Sequence, residues 1–292
     1  MDVSFERIGE LASDGAPLSP VVVSVPHAGR DYPVALRAAL RVPAAALVVL
    51  EDRYIDLVAD DARTTQAMLV QRRARAWIDL NRSETERDPK VDEGARLQSQ
   101  ATASTKLRSG LGLVPRRAGA AGDLWRRRFS DADVRERIAR DYRPYHAMLD
   151  GLLRAARAKF GIAVLLDVHS MPPVVGDAQV VLGDRFGTTS ASRFVTRLEG
   201  EAAASGVRTA LNTPYAGGHI LERHAAPARN IHAIQIEVDR ATYLDRLLDQ
   251  PGPGMAQTAT LLRRMFAAIE DEALSGAGGT GAGRPGIALA AE

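Results

Sequence analysis

The stretch LLDVHSMPP, Leu165 to Pro173, decides how we interpret both the fold and the site. An apolar run reaches Asp167, and His169 follows two residues later, before Pro172 and Pro173. Side chains two residues apart on a strand project to one face, so Asp167 should accept a hydrogen bond from the His169 ring. Because prolines stop a strand, the imidazole is expected at the rim of a sheet. A structural Asp–His pair buried in the core is the alternative.

Outward from this stretch, short apolar runs alternate with helical patterns, which is typical of βα units around a mixed, mostly parallel sheet. This alternation predicts a single α/β domain over residues 1–274, with the sheet between two layers of helices. Residues 275–292 are low in complexity, and we expect a flexible tail there. The predicted strands are Val21–Pro26, Ala67–Gln71, Ala76–Leu80, Ile162–Val168, Gln179–Gly183, Val207–Leu211 and Ile231–Asp239. The predicted helices are Pro33–Arg41, Asp131–Lys159 with a kink or break at Pro144, Thr188–Ala204 and Met255–Leu274.

One long segment, residues 83–123, is polar, charged and rich in glycine, with little periodicity. It predicts a long excursion over the sheet, and loops of this length are usually functional lids or partly disordered. Whether it closes over a substrate is left open by the sequence.

Composition narrows the range of functions. The 292 residues include no cysteine, so a metal would have to bind to His, Asp or Glu. The formal net charge is only +2, which argues weakly against nucleic acid as a partner. No apolar stretch reaches the roughly 18 residues of a membrane span, and no targeting segment is evident, so we expect a cytoplasmic protein without a membrane partner.

Polar side chains stand at the ends of five predicted strands. Ligands of open α/β sheets bind beyond the carboxyl ends of the strands, so we expect these groups at one edge of the sheet. Each residue alone has an ordinary structural interpretation, such as a hydrogen-bonded loop histidine, but five together are hard to obtain by chance. They are His27, Asn81 with Arg82, His169, Asn212 and Glu237.

Two histidines need a carboxylate to complete a hydrolytic zinc site, in which three protein ligands leave one position for water. The stretch LEDRYID offers Glu51 and Asp52, and either of them is a candidate for this role. Glu237 has a structural alternative as well, an ion pair with Arg240. The pattern therefore predicts a site for a divalent metal, and zinc is the metal expected for this set of ligands.

At these residues the sequence resembles the N-formylglutamate amidohydrolase (N-formylglutamate deformylase) family. The resemblance runs in order from about residue 20 to residue 245, and it is more distant to zinc carboxypeptidases and aspartoacylases. Single motifs are weak, whereas the ordered set is specific. The matching stretches are SVPHAGRDYP, EDRYID, WIDLNR, GLGLVPR, YRPYH, LLDVHSMPP, VVLGD, NTPYAGGHI and HAIQIEVDRATYLD.

The resemblance implies a role for each matching residue. It implies His27, Asp52 and His169 as metal ligands and Glu237 as the catalytic carboxylate. It further implies a set of groups that bind substrate, and Asp167 and Asn212 would support the site by hydrogen bonds. The substrate-binding set is Asn81, Arg82, Arg240, Gly217, Gly218 and His219.

The implied reaction is hydrolysis of the amide of a small anionic substrate, N-formyl-L-glutamate, to formate and L-glutamate. Such a substrate carries two carboxylates, so two cationic contacts are expected, Arg82 and Arg240. The family typically works in histidine breakdown. Two alternatives stay open: a hydrolase of another small N-acyl amino acid or a carboxypeptidase-like substrate, and a non-catalytic protein that binds a small anion. The sequence gives no oligomeric state.

Overall fold

The computed structural model of the chain describes residues 4–96, 104–174, 176 and 178–277. Seven strands belong to one sheet. They are β1 (Phe5–Ile8), β2 (Val21–Val25), β3 (Ala67–Gln71), β4 (Ala163–Met171), β5 (Val180–Gly183), β6 (Thr209–Leu211) and β7 (Ile231–Asp239). The helices are α1 (Val34–Ala39), α2 (Ile55–Ala62), α3 (Thr105–Arg108), α4 (Asp131–Arg137), α5 (Arg143–Phe160), α6 (Ser192–Ala204), α7 (His219–His224) and α8 (Met255–Ala277).

The sheet is mixed and mostly parallel, as predicted, with the order β1-β3-β2-β4-β7-β5-β6. Strands β3, β2, β4 and β7 run parallel to one another at its centre. Strand β1 pairs antiparallel with β3, and β5 pairs antiparallel with β7, while β6 runs parallel to β5. The carboxyl ends of β2, β4 and β7 therefore meet at one edge, and those of β5 and β6 point the opposite way.

The structure has the three predicted layers, and a hydrophobic cluster lies between the sheet and each layer of helices. Alternate strand residues point to opposite faces, so Val164 and Leu166 of β4 enter one cluster, and Leu165 enters the other. Helices α2, α6 and α8 cover the first face, and α5 lies on the second. Residues of β4 at odd-numbered positions, His169 among them, consequently face the side of α5.

The predicted strand Ala76–Leu80 is wrong, because this segment turns instead of pairing. Its apolar side chains alternate with more polar ones, and Ala76, Ile78 and Leu80 are each no more than 1% exposed. This burial imitates the pattern of a strand. The backbone donors, however, go elsewhere: Trp77 N–H binds the carbonyl of Ala74, and Asp79 N–H binds that of Leu113.

Several boundaries also differ from the prediction. Strand β4 continues through His169 to Met171 and ends directly before Pro172, so the histidine lies inside the strand. The short edge strand β1 carries little apolar signal and was not predicted. Helix α8 extends three residues beyond the predicted Leu274, and residues 278–292 of the predicted tail lie outside the described residues.

Where a kink or break was predicted at Pro144, the helix changes type without ending. Helix α4 passes into a π-helical segment, Ile138–Tyr142, and Pro144 then lies in the first turn of α5. The helical backbone is continuous here, and Arg143 N–H bonds to the carbonyl of Ile138, so the wider π-type turn lies directly before the position where Pro144 removes a backbone donor. Among the described residues, no helix is both long and apolar enough to cross a membrane.

Candidate active site

Three predicted side chains converge at the shared edge of β2 and β4. His27 follows β2 by two residues, and its carbonyl accepts a hydrogen bond from Asp52 N–H at 2.9 Å, which holds the two together. Asp52 Oδ2 lies 3.0 Å from His169 Nδ1 and 3.7 Å from His27 Nδ1. One ligand atom from each of the three residues lies within 4.8 Å of the other two, and all three side chains are buried. The site can therefore hold one cation.

Each imidazole uses its other nitrogen to bind a buried carboxylate. His169 Nε2 lies 2.9 Å from Asp167 Oδ2, which is the hydrogen bond expected from their spacing. His27 Nε2 lies 2.7 Å from Asp79 Oδ1. Carboxylates in this position fix the tautomer, so Nε2 carries the proton and Nδ1 presents its lone pair to the common centre. Two imidazoles and one carboxylate are a donor set that suits zinc.

Asp52 and His169 each stabilise the charged form of the other. Burial alone would raise the pKa of Asp52, but hydrogen bonds and positive charge from His169 and His27 hold it well below its ordinary value. Burial would likewise lower the pKa of His169, and the neighbouring Asp167 and Asp52 carboxylates hold it well above that of a free imidazole. A cation at this centre competes with the His169 proton, so its binding must weaken as the pH falls.

Asp79 is a partner of His27 that the sequence-based prediction missed. It is fully buried and also accepts hydrogen bonds from Arg75 Nε at 2.8 Å and from Asn81 N–H at 2.8 Å. Burial would raise its pKa, but Arg75 and Arg82 keep it well below its ordinary value, so it stays anionic. Its position two residues before Asn81 in the matching stretch WIDLNR was the available signal.

Glu237 lies beside His169, as expected from its place on the last strand. The two residues are register partners on β7 and β4, so their side chains project from one face of the sheet. Glu237 Oε1 accepts a hydrogen bond from Gln235 Nε2 at 2.7 Å. Burial raises the pKa of Glu237 from 4.5 to about 7, which suits a group that exchanges protons near neutrality. Gln235 was not predicted, although the same two-residue period would have paired it with Glu237.

Asn81 and Arg82 reach the site from a loop instead of a strand end. Asn81 Oδ1 accepts a hydrogen bond from Ile220 N–H at 2.8 Å, and a Cβ at Gly218 would lie 2.3 Å from the same oxygen. This close approach explains the glycine. Arg82 Nε binds the carbonyl of Leu111 at 2.8 Å, and the side chain is buried. Gly217 and Gly218 line the cavity together with both residues.

His219 does not line the cavity, contrary to expectation. Its ring packs near His146 and Tyr142, with ring centroids 5.9 and 6.4 Å away. His219 Nε2 is buried and has no hydrogen-bond partner among the described residues. This packing follows from its place in the first turn of α7, whose Ile220 and Leu221 are fully buried.

Arg240 lines the cavity but is engaged by the protein itself. Its Nη2 donates to the Glu51 carbonyl at 2.6 Å and to Asp52 Oδ1 at 3.2 Å, and its Nε donates to Ser170 Oγ at 3.0 Å. Arg240 thus holds Asp52 in position, and its contact with substrate stays a prediction. The Glu51 side chain points elsewhere, to Tyr32 Oη and to Arg53, so Asp52 is the acid that faces the histidines.

The expectation that Asn212 joins this edge is wrong. It follows β6, which runs parallel to β5 and therefore antiparallel to β7. Its Nδ2 donates to Asp184 Oδ1 at 2.8 Å, and its Oδ1 accepts from the N–H groups of Asp184 and Phe186. Asn212 stabilises that turn, and no hydrogen bond from its side chain to the three converging residues is present in the described structure.

A cavity of about 340 Å³ opens above these groups. The described part of the segment 83–123 contributes to its wall through Lys106, Leu111 and Gly119, and residues 97–103 lie outside the described residues. Arg75 and Lys106 are further lining residues that the sequence did not reveal. No local pattern marks them, because Arg75 lies in a loop and Lys106 in the very short helix α3, and only the tertiary structure brings both to the cavity.

Comparison with known proteins adds independent information. The sequence profile described as N-formylglutamate amidohydrolase matches residues 19–244. An N-formylglutamate deformylase of Pseudomonas aeruginosa strain PAO1 is 32% identical over 236 residues, which covers 77% of this chain and 82% of that protein. The enzyme of the same description from Pseudomonas putida is 31% identical over the same length.

A solved structure agrees with the sequence matches. The crystal structure of an N-formylglutamate amidohydrolase from Ralstonia eutropha JMP134 superposes with a TM-score of 0.83 at 29% identity. The superposition covers 94% of this chain and all of that one. The likeness in fold therefore extends over most of the chain.

Proposed function

Because the chain belongs to the N-formylglutamate amidohydrolase family, we propose that it hydrolyses the amide bond of N-formyl-L-glutamate in a metal-dependent reaction. The products are formate and L-glutamate. The observation that carries the proposal is the convergence of His27, Asp52 and His169 beside the buried Glu237. The names of the relatives support the same substrate. A cytoplasmic location and a role in histidine breakdown stay predictions.

We assign the cation to His27 Nδ1, Asp52 Oδ2 and His169 Nδ1, and zinc is the metal that this donor set favours. A divalent cation bound there would supply a Lewis acid and lower the pKa of water from about 16 to around 7. Asp79 and Asp167 keep both rings in the required tautomer. Arg240 Nη2 binds Oδ1 of Asp52, which leaves Oδ2 for the cation.

Glu237 acts as the general base and then as the general acid. It accepts a proton from the attacking water as the water oxygen bonds to the formyl carbon. It returns that proton to the amide nitrogen as the C–N bond breaks, so the amine leaves neutral. Its place beside His169, within the same buried cluster, puts it within reach of the proposed cation site. Arg82 binds a substrate carboxylate, for which its planar fork of donors is suited.

A non-catalytic anion-binding protein of the same fold is the alternative from another class. Glu237 weighs against it, because a buried carboxylate inside a small-anion site would repel the ligand unless it served the chemistry. The cavity volume lies near the lower end of the range for small-molecule sites, about 300 to 1,000 Å³, which fits a small substrate.

One activity panel tests the proposal. Purified protein is assayed with N-formyl, N-acetyl and N-succinyl derivatives of L-glutamate, and its metal content is measured on the same sample. We expect about one equivalent of metal for full activity, with the highest kcat/KM for the N-formyl compound. A fully active metal-free preparation contradicts the metal dependence, and preference for another acyl group contradicts the assigned substrate.

A further inference from the structure

Two of the cations that line the cavity are neutralised by the protein. Arg75 Nε lies 2.8 Å from Asp79 Oδ2, and Arg240 Nη2 lies 3.2 Å from Asp52 Oδ1. Both carboxylates are buried, so these charges are compensated inside the protein. A substrate anion gains little from a cation that is already paired at short range.

The other two cations in the wall, Arg82 and Lys106, are not neutralised in this way. The closest carboxylate oxygen paired with Arg82 is Asp79 Oδ2 at 3.9 Å, and the Nε hydrogen bond goes to a carbonyl instead. No acidic side chain in the described part of the chain forms an ion pair with Lys106. Partial burial, with the positive charges of Arg82 and Arg75, lowers the pKa of Lys106. An incoming anion relieves that repulsion.

The backbone holds these two cations in one arrangement. Lys106 lies in α3, whose first turn is capped by the Ser104 side chain at 3.1 Å from Leu107 N–H. The Lys106 carbonyl accepts a hydrogen bond from Leu111 N–H at 2.8 Å, and the Leu111 carbonyl accepts from Arg82 Nε at 2.8 Å. One residue therefore links the short helix to the arginine, and both positive groups face the same cavity.

We propose that Lys106 binds the side-chain carboxylate of the substrate while Arg82 binds its α-carboxylate, and that Lys106 thereby selects acidic N-acyl amino acids. The inference rests on the proposed function and adds the residue that recognises the side chain of the substrate. A dianionic substrate needs two cations that the protein does not neutralise at short range, and the wall provides Lys106 and Arg82, whose acidic partner Asp79 is 3.9 Å away. The compact ammonium on a flexible stem can follow the end of an acidic side chain.

The test compares N-formyl-L-glutamate with N-formyl-L-glutamine, which has nearly the same shape but no side-chain charge. In Lys106→Met, kcat/KM for the glutamate compound should fall by about 10- to 100-fold, since a partly shielded charge contact is lost. For the glutamine compound it should change by less than about 3-fold. Lys106→Arg should keep most of the preference. Lys159→Met is the matched control, because Lys159 lies on α5 and binds the carbonyl of Pro17, away from the cavity.

Equal losses for both substrates, or no loss for either, would overturn the role of Lys106. Binding of L-glutamate and L-glutamine to the metal-loaded protein, measured by calorimetry, gives a readout that does not need turnover. Lys106→Met should remove the preference for L-glutamate, and an unchanged preference would refute the inference. If the wild-type protein hydrolyses no N-formyl compound, the proposed function fails, and this binding comparison still decides the inference. Thermal unfolding shows whether each variant is folded, and the uncharged, polar Lys106→Gln takes the place of Lys106→Met if that variant does not fold.

Discussion

Replacing Glu237 by Gln removes the proposed proton carrier and keeps the shape of the side chain. The Gln235 hydrogen bond can still be accepted by the new carbonyl oxygen, so the geometry beside His169 should persist. General acid–base catalysis contributes about 10²- to 10⁴-fold, and we expect kcat to fall within that range. Metal content, measured by mass spectrometry, should stay near one equivalent because Glu237 is not among the three converging ligands.

The same substitution should change how stability depends on pH in the metal-free protein. Burial raises the pKa of Glu237 from 4.5 to about 7, so between these values the folded state holds a proton that the unfolded state has lost. This group's contribution to stability is complete below pH 4.5 and is lost as the pH rises through about 7. The loss amounts to about 3 kcal/mol, and Gln cannot show it. Relative to wild type, Glu237→Gln should therefore gain about 3 kcal/mol between pH 4.5 and pH 8 in urea unfolding.

Glu51→Gln is the matched control for both measurements. Burial raises the pKa of Glu51 to about 7 as well, but its side chain binds Tyr32 and Arg53 and does not line the cavity. This variant should show a comparable pH-dependent gain in stability, while kcat stays within about 3-fold of wild type. Unchanged turnover in Glu237→Gln, or an equal loss of turnover in both variants, would refute the assignment of the base.

The remaining predictions concern the groups around the ligands. Asp79→Asn and Asp167→Asn should each weaken metal binding by about 10- to 100-fold, because each removes the carboxylate that fixes the tautomer of a ligand ring. Competition with a chelator measures the affinity, and an unchanged value would contradict the tautomer argument. Arg82→Ala should cost about 2 to 5 kcal/mol in kcat/KM for N-formyl-L-glutamate and much less for its α-amide, whereas equal losses would show a structural role. His219→Phe should leave kcat/KM within about 3-fold and should not lower the melting temperature, since it removes a buried nitrogen without a partner; a large loss of activity would place His219 in the site after all.

The fold was predictable because its signals are local. Apolar runs of strand length between helical patterns identify six of the seven strands of the sheet. The failure at Ala76–Leu80 has a clear cause: a turn that lies on the core buries alternate side chains just as a strand does. The two differ only in the acceptors of the backbone N–H groups, and a sequence does not reveal these hydrogen bonds. The edge strand β1 was not predicted because its short sequence, FERI, buries little and therefore carries no apolar pattern.

The site was predictable where one strand carries the information and unpredictable where distant segments meet. The spacing of Asp167 and His169 revealed their contact, because both lie on β4. The equivalent contact of His27 with Asp79 joins residues 52 positions apart, and no spacing rule applies to it. Asn212 was misplaced because an apolar run does not reveal the direction of its strand: β6 would have the same pattern if it ran parallel to β7.

Some charged side chains around the cavity are not fully compensated by the protein, and the proposed metal and substrate would each compensate a different part of them. Among the described residues, Asp167 and Glu237 form no ion pair with an arginine or a lysine, and Glu237 lies beside His169 in the sheet. Lys106 likewise lacks an acidic partner, and Arg82 has only a distant one at 3.9 Å. A dication at the histidines would offset the excess negative charge, and a dianion at Arg82 and Lys106 the excess positive charge. Because buried charges are costly until they are compensated, each ligand completes a part of the pocket that the protein alone leaves unbalanced.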